Sequence, residues 1–310
     1  MKQWSFAIWV ALILALLGLG LIIIFSLNPH YNDGSGVLDA DLASKYGSLV
    51  GGLIGPIFSL AGFFLLYETI IAQKTSFESQ QLETKFFELI RYHRENVSSM
   101  EHRVPGEMDK YVRGAAVFIE IHKQFNKIYT IIKPIVANES SIVEGDKEKV
   151  SVNIAYTLLF NGVSLQSQMT VIEILKNYGE EFVQSIINSV YSKKAKYNVK
   201  LVYFAGHQVR LGHYYRHLFQ TVKFIDKSSF LTPKQKYEYV KTLRAQLTQY
   251  ELSIFFINSL SIGREWEKNG YITNYKFIKN LPPNFIAEIN PKNYYDKFKY
   301  EWEKRLVVES

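Results

Sequence analysis

The sequence predicts an all-α protein: an N-terminal two-helix transmembrane hairpin, then a long stalk helix and a multi-helix cytoplasmic domain. Two segments of 22 residues, 6–27 and 46–67, contain no charged residue, and helical periodicity recurs through most of the chain after them. The sequence contains no cysteine, which excludes disulfides, thiolate ligands and a cysteine nucleophile.

The first apolar segment, residues 6–27, is long enough for a helix to cross about 30 Å of hydrocarbon. Its length, and the lack of a small-residue cleavage site after it, favour a retained span over a signal peptide. The second segment, 46–67, contains Pro56, which predicts a kink. It also carries a small residue at every fourth position, here called the glycine stripe: Gly47, Gly51, Gly55 and Ser59. Such a stripe indicates either close self-association in lipid or the ordinary glycine content of a membrane helix.

The charges beside these segments predict their orientation. Residues 28–45 hold three aspartates and one lysine, whereas Lys2 precedes the first segment and basic residues follow the second. Because positive flanks stay in the cytoplasm, we expect a multi-pass protein with both termini cytoplasmic.

The remainder of the chain is distinctly basic. Residues 1–74, the predicted hairpin domain, hold three lysines and four acids, so residues 75–310 carry +8 of the formal net charge of +7. A positive field of this kind favours acidic phospholipid head groups, nucleic acid or an acidic partner protein.

Hydrophobic periodicity and the positions of proline and glycine predict the helices of this second domain. The absence of Pro and Gly between Ala72 and Val104 predicts a stalk helix over 75–104. Further helices are expected over 111–132, 154–160, 165–178, 203–225, 232–260 and 293–307. Pro134 should close the helix 111–132, and the polar residues 138–149 indicate a linker. Residues 193–206 fit either a strand or a helix.

The segment 203–225 is the most informative for chemistry. At 100° per residue, its polar side chains share one face, and apolar side chains fill the opposite face. The polar face holds His207, Arg210, His213, Tyr214 and His217. These residues suit acid–base chemistry, metal ligation or phosphate contact, but the favoured interpretation is a polar layer bonded to neighbouring helices.

Two catalytic alternatives exist for this face. Arg210, six residues and His217 fit the loose Arg-x4–6-His signature of HEPN-type ribonucleases, which would make Arg210, His213 and His217 catalytic. The pair His213 and His217 has metal-ligand spacing, but no carboxylate stands at ligand spacing beside it. No metal site and no cofactor is therefore predicted.

The predicted helix 232–260 begins with a capping box at Thr232 and Gln235 and carries Glu251 beside its apolar stripe. A buried carboxylate needs a partner, and Arg244 stands two turns earlier. We expect a structural ion pair between Arg244 and Glu251 rather than a catalytic acid.

Four stretches of this chain, together with the preceding hairpin, carry a family resemblance: 82–93, 113–125, 211–226 and 243–252. In them the chain resembles the AbiC-like family of phage abortive infection proteins, which are membrane-anchored bacterial defence proteins. The resemblance implies antiphage defence at the bacterial inner membrane, with growth arrest or death of the infected cell. It marks Tyr214, Arg244 and Glu251 as motif residues, without assigning them a reaction.

Two hypotheses result. The preferred one is a non-enzymatic membrane effector, in which hairpins form a homo-oligomer through the glycine stripe and perturb the lipid bilayer. The alternative is a membrane-tethered, metal-independent ribonuclease that uses Arg210 and His217. The sequence contains no phosphate-binding loop, nucleophile elbow or metalloprotease motif, so no other reaction is indicated.

Overall fold

The computed structural model describes residues 6–27, 40–104, 110–196 and 206–303. These residues are mostly helical, with one two-stranded sheet. The chain divides into two compact units, Met1–Lys85 and Phe86–Ser310. This division falls later than the boundary expected after residue 74.

The first unit contains two helical arms. Helix α1 spans Phe6–Leu27, the bounds that the sequence predicted. The second arm consists of α2 (Ala40–Leu49), a π turn (Val50–Ile54) and α3 (Gly55–Ser98), which continues into the second unit. Both arms are long and apolar enough to cross a membrane by length and composition.

The π turn explains how the second arm accommodates Pro56. The Gly55 N–H donates to the carbonyl of Val50, five residues back instead of four. Pro56 has no N–H to continue an α-helical ladder, so the helix is disturbed just before it, where the sequence predicted a kink.

The stalk helix ends at Ser98, not at Val104 as predicted. Residues Glu101–Arg103 (β1) instead pair antiparallel with Tyr111–Arg113 (β2). Gly114 follows with φ of +63°, a conformation that glycine adopts without strain, and its N–H bonds to the Met100 carbonyl at 2.9 Å. Strands of three residues are too short to give a periodic signal in the sequence.

The predicted helix over 111–132 is shifted toward the C-terminus for the same reason. Helix α4 begins at Ala116, after the strand and the turn, and runs to Ala137. Pro134 lies inside it rather than closing it, because proline removes only one hydrogen bond near the helix end.

Helix α4 is the centre of the second unit's core. It packs against α5 (Lys147–Asn161), α7 (Glu180–Lys196) and α10 (Gln249–Leu260), and α6 (Leu165–Leu175) packs on α5 and α7. Single 3₁₀ turns precede α5 and α7, at Glu144–Asp146 and Lys176–Tyr178. Of the undecided segment 193–206, residues up to Lys196 are helical, and 197–205 lie outside the described residues.

The C-terminal elements depart from prediction in two places. Helix α8 spans Gln208–Asp226, but the helix expected over 232–260 is two helices, α9 (Pro233–Arg244) and α10, separated by a turn. The capping box at Thr232 is confirmed. After α11 (Glu265–Lys268) and α12 (Tyr271–Tyr275), the helix expected over 293–307 is absent across 294–300, which follows a 3₁₀ turn at Pro291–Asn293. There Phe298 and Tyr300 are buried and anchor the chain, whereas Lys297 and Lys299 are exposed.

Candidate functional site

The carboxylate of Glu251 is the centre of a buried polar cluster. Its side chain is 2% exposed and lies in the first turn of α10. One oxygen, Oε2, accepts the Thr248 N–H at 2.8 Å, and Oε1 accepts the Tyr214 hydroxyl at 3.1 Å. Glu251 N–H in turn donates to Thr248 Oγ1 at 3.2 Å, which completes a capping box. One carboxylate thus joins the start of α10 to the middle of α8.

His93, at the end of α3, lies against the same carboxylate. Its Nε2 is 4.0 Å from Glu251 Oε1, and neither ring nitrogen has a hydrogen-bond partner among the described residues. Burial, and then the neighbouring His217, lower the pKa of His93 to about 4, so the ring is neutral at pH 7. Burial also raises the pKa of Glu251, against the opposing effect of the hydrogen bonds from Thr248 and Tyr214.

A second polar chain lies at the start of α8. His207 Nε2 is 2.9 Å from Gln124 Oε1, and Gln124 Nε2 is 2.9 Å from His102 Nε2, so α8, α4 and β1 are connected in series. All three side chains are buried. Burial is the main cause that lowers the pKa of His102 to about 4 and that of His207 to about 3. Both rings are therefore neutral hydrogen-bonding groups at pH 7.

The three residues of the ribonuclease hypothesis do not converge on one open site. Arg210 Nε donates to the Glu101 carbonyl at 2.9 Å, and His217 Nε2 bonds the Leu89 carbonyl at 2.9 Å. His213 is exposed. The contacts of Arg210 and His217 are with backbone carbonyls of other elements, which favours the interpretation of this face as a polar layer.

The expected ion pair between Arg244 and Glu251 is not formed among the described residues. Arg244 is 5% exposed, and its Nη1 donates to the carbonyls of Tyr275 at 3.1 Å and Lys276 at 2.6 Å. The chain turns between α9 and α10, so the spacing of one continuous helix does not apply. Arg244 caps the C-terminal end of α12, while Glu251 caps the N-terminal end of α10.

Sequence reasoning missed Thr248 and His93. For Thr248 a signal exists, because Thr248-x-x-Glu251 before an apolar run is the capping-box pattern. For His93 none exists, since its contact with Glu251 spans more than 150 positions in sequence. Within the described ranges, no group of three or more His, Asp or Glu side chains could hold a metal ion.

The glycines of the first unit fall into two classes. At Gly18, an added Cβ would lie 2.9 Å from the Phe58 ring, so this glycine permits the close approach of α1 and α3. At Gly47 and Gly51 an added Cβ would meet nothing within 4 Å, and at Gly55 only the Val50 carbonyl of its own arm. Among the described residues of this unit, none outside its own arm therefore covers the three glycines of the glycine stripe.

Comparison with known proteins gives a family match over part of the chain. Residues 206–286 match a family described as "Putative phage abortive infection protein". No curated protein and no solved structure matches the chain. The matched region contains α8 to α12, and with them Tyr214, Arg244 and Glu251. Over this region the chain is similar to the AbiC-like phage abortive infection family, which supports a role in phage defence.

Proposed function

We propose that this chain is a membrane-anchored effector of antiphage defence at the bacterial inner membrane. In this proposal, the hairpin is a multi-pass anchor with both termini cytoplasmic, and its assembly in the lipid bilayer arrests the infected cell. The helical second unit controls that assembly in response to a partner protein, a nucleic acid or acidic phospholipid head groups.

The observation that carries the proposal is the outward exposure of large apolar side chains along both arms of the first unit. Phe6, Leu16 and Phe63 are 83%, 68% and 60% exposed. In water, a surface of this kind would be a strong aggregation site, whereas in hydrocarbon it carries no cost.

The open glycine stripe supports self-association. Helices pack closely in lipid where small residues let their backbones approach, and no described residue of the first unit covers Gly51. Gly51→Leu should therefore insert normally, fail to form homo-oligomers, and lose both protection and the collapse of membrane potential in infected cells.

Gly52→Leu is the matched control, because Gly52 is a neighbouring glycine with equally open surroundings that lies off the stripe. Crosslinking in membranes measures the formation of homo-oligomers, and a potential-sensitive dye measures the collapse of membrane potential. Equal activity of both variants would contradict assembly through the stripe.

The orientation has its own test. A reporter fused after Ser310 should behave as cytoplasmic and one inserted near Gly34 as periplasmic, because the loop between the two segments is acidic and their outer flanks are basic. The opposite pattern would overturn the proposed control by a cytoplasmic unit.

The ribonuclease alternative has less support, because Arg210 and His217 both bond backbone carbonyls. The two functions separate when the hairpin is replaced by an unrelated two-span anchor. The effector proposal expects protection to be lost. Retained protection, accompanied by RNA cleavage that Arg210→Ala abolishes, would refute it.

A further inference from the structure

A groove of about 570 Å³ lies where the last described segment of the chain meets α9 and the turn after α12. Five lysines line it: Lys276, Lys279, Lys292, Lys297 and Lys299. Three carboxylates, Asp296, Glu301 and Glu303, also line it, so its walls carry two positive charges in excess.

Two of the carboxylates are already engaged by the protein. Glu301 accepts from Asn280 Nδ2 at 2.8 Å and lies 3.3 Å from Lys279 Nζ. Glu303 pairs with Lys292 and accepts the Tyr300 N–H at 2.7 Å.

Three lysines remain for a ligand. Within the described part of the chain, Lys276, Lys297 and Lys299 have no carboxylate at ion-pair distance, and the third acid, Asp296, does not balance them. Lys276 Nζ lies 5.8 Å from the centre of the Tyr237 ring. The groove therefore presents more cationic charge than its own acids neutralise.

These lysines project from a fixed backbone. Lys297 and Lys299 alternate with the buried Phe298 and Tyr300, and the Tyr300 hydroxyl donates to the Tyr295 carbonyl at 2.9 Å. The Arg244 bond to the Lys276 carbonyl fixes the third position. An anchored set of cations loses less conformational entropy on binding than a free lysine tail would.

We propose that this groove binds a small ligand with adjacent phosphate groups. Lysine ammonium groups bind phosphate oxygens as point charges, and three of them around one concave site suit two neighbouring phosphates. The volume is that of a small-molecule site, and the carboxylates at its wall oppose a long polyanion. A soluble diphosphate and the headgroup of cardiolipin share this chemistry.

The test uses the full chain purified in detergent and titrated calorimetrically with pyrophosphate and with ADP at low ionic strength. Saturable binding is expected, and added salt should weaken it. The double variant Lys297→Gln/Lys299→Gln should lower the affinity by about tenfold or more. Because both side chains are exposed, the variant should keep the wild-type melting temperature, and the single variants serve where it does not.

The control is Lys176→Gln/Lys268→Gln, which removes the same charge from exposed helical positions and should bind as the wild type does. Competition by cardiolipin nanodiscs, but not by phosphatidylcholine nanodiscs, would identify the lipid source. Tighter binding of ADP than of pyrophosphate would identify a nucleotide. The proposal is overturned if the wild type binds neither probe, or if the groove variant and the control bind equally.

Discussion

The second unit contains the same capping motif twice, once at the surface and once in the core, which allows a matched measurement of what burial adds. Thr232 and Gln235 form the exposed box at the start of α9, and Thr248 and Glu251 form the buried box at the start of α10. In Glu251→Ala, both the Thr248 N–H and the Tyr214 hydroxyl lose their acceptor.

The magnitudes follow from those contacts. Each buried donor left unpaired costs about 1–3 kcal/mol, whereas the loss of an exposed cap costs about 1 kcal/mol. Glu251→Ala leaves two donors without an acceptor, and one of these is the capping bond itself, so it should lower the free energy of unfolding by about 2–6 kcal/mol. Gln235→Ala should cost about 1 kcal/mol or less, because water replaces the lost acceptor. Glu251→Gln keeps one carbonyl oxygen for two donors and should fall between them.

Denaturant and thermal unfolding of the full chain in mild detergent, followed by circular dichroism, measure the free energy of unfolding and the Tm of all three variants. For a unit of this size, 1 kcal/mol corresponds to about 2–4 °C in Tm, so the two alanine variants should differ by several degrees. Equal losses in Glu251→Ala and Gln235→Ala would refute the claim that burial, rather than the capping motif itself, sets the cost.

Three further predictions concern the same unit. In a double-mutant cycle, the effects of Arg244→Gln and Glu251→Gln on the free energy of unfolding should add within about 0.5 kcal/mol, because the two side chains share no bond. A larger coupling energy would support the ion pair between them. Because burial holds the pKa of His93 near 4, below the ordinary 6.5, the unfolded state alone takes up the proton between these values. The free energy of unfolding should thus fall as pH drops through this range, and His93→Phe should flatten the fall in urea titrations without loss at pH 7. Gly206→Ala should cost more than Gly179→Ala on thermal unfolding. Both glycines have φ near +90°, but only at Gly206 would an added Cβ clash, because it would lie 2.6 Å from the Asn161 backbone. Equal losses of stability in the two variants would mean that the strained φ alone sets the cost and that the clash adds nothing.

The sequence was most informative where a local pattern decides the structure. The helix Phe6–Leu27 follows from an unbroken apolar run, and the start of α9 follows from the Thr232 capping box. The prediction of helix bounds was wrong where a short capping signal lies inside a long apolar periodicity. The apolar stripe continues in the sequence across 232–260, although Thr248 and Glu251 mark a new helix start within it.

The sequence indicated which side chains of α8 are polar, but not how deeply each of them is buried or what it contacts. Helical geometry grouped Tyr214 with the histidines of α8 on one face, but Tyr214 is fully buried whereas His213 is exposed. The residues that cover it belong to distant elements, such as His93 and Phe118, whose rings lie 5.1 and 5.0 Å from its own. Pairings across that sequence distance leave no mark in a single helical pattern.

The π turn before Pro56 also affects the directions in which the small residues before and after it point from the second arm. In an α-helix a step of four residues overshoots a full turn by about 40°, so small residues at this spacing drift around the helix. A π turn uses more residues per revolution, and Val50–Ile54 falls between Gly47 and Gly55. The drift is therefore reduced in the middle of the glycine stripe, and its two halves remain closer to one side of the arm. The π turn that accompanies this proline thus keeps the small residues on either side of it closer to one face of the arm.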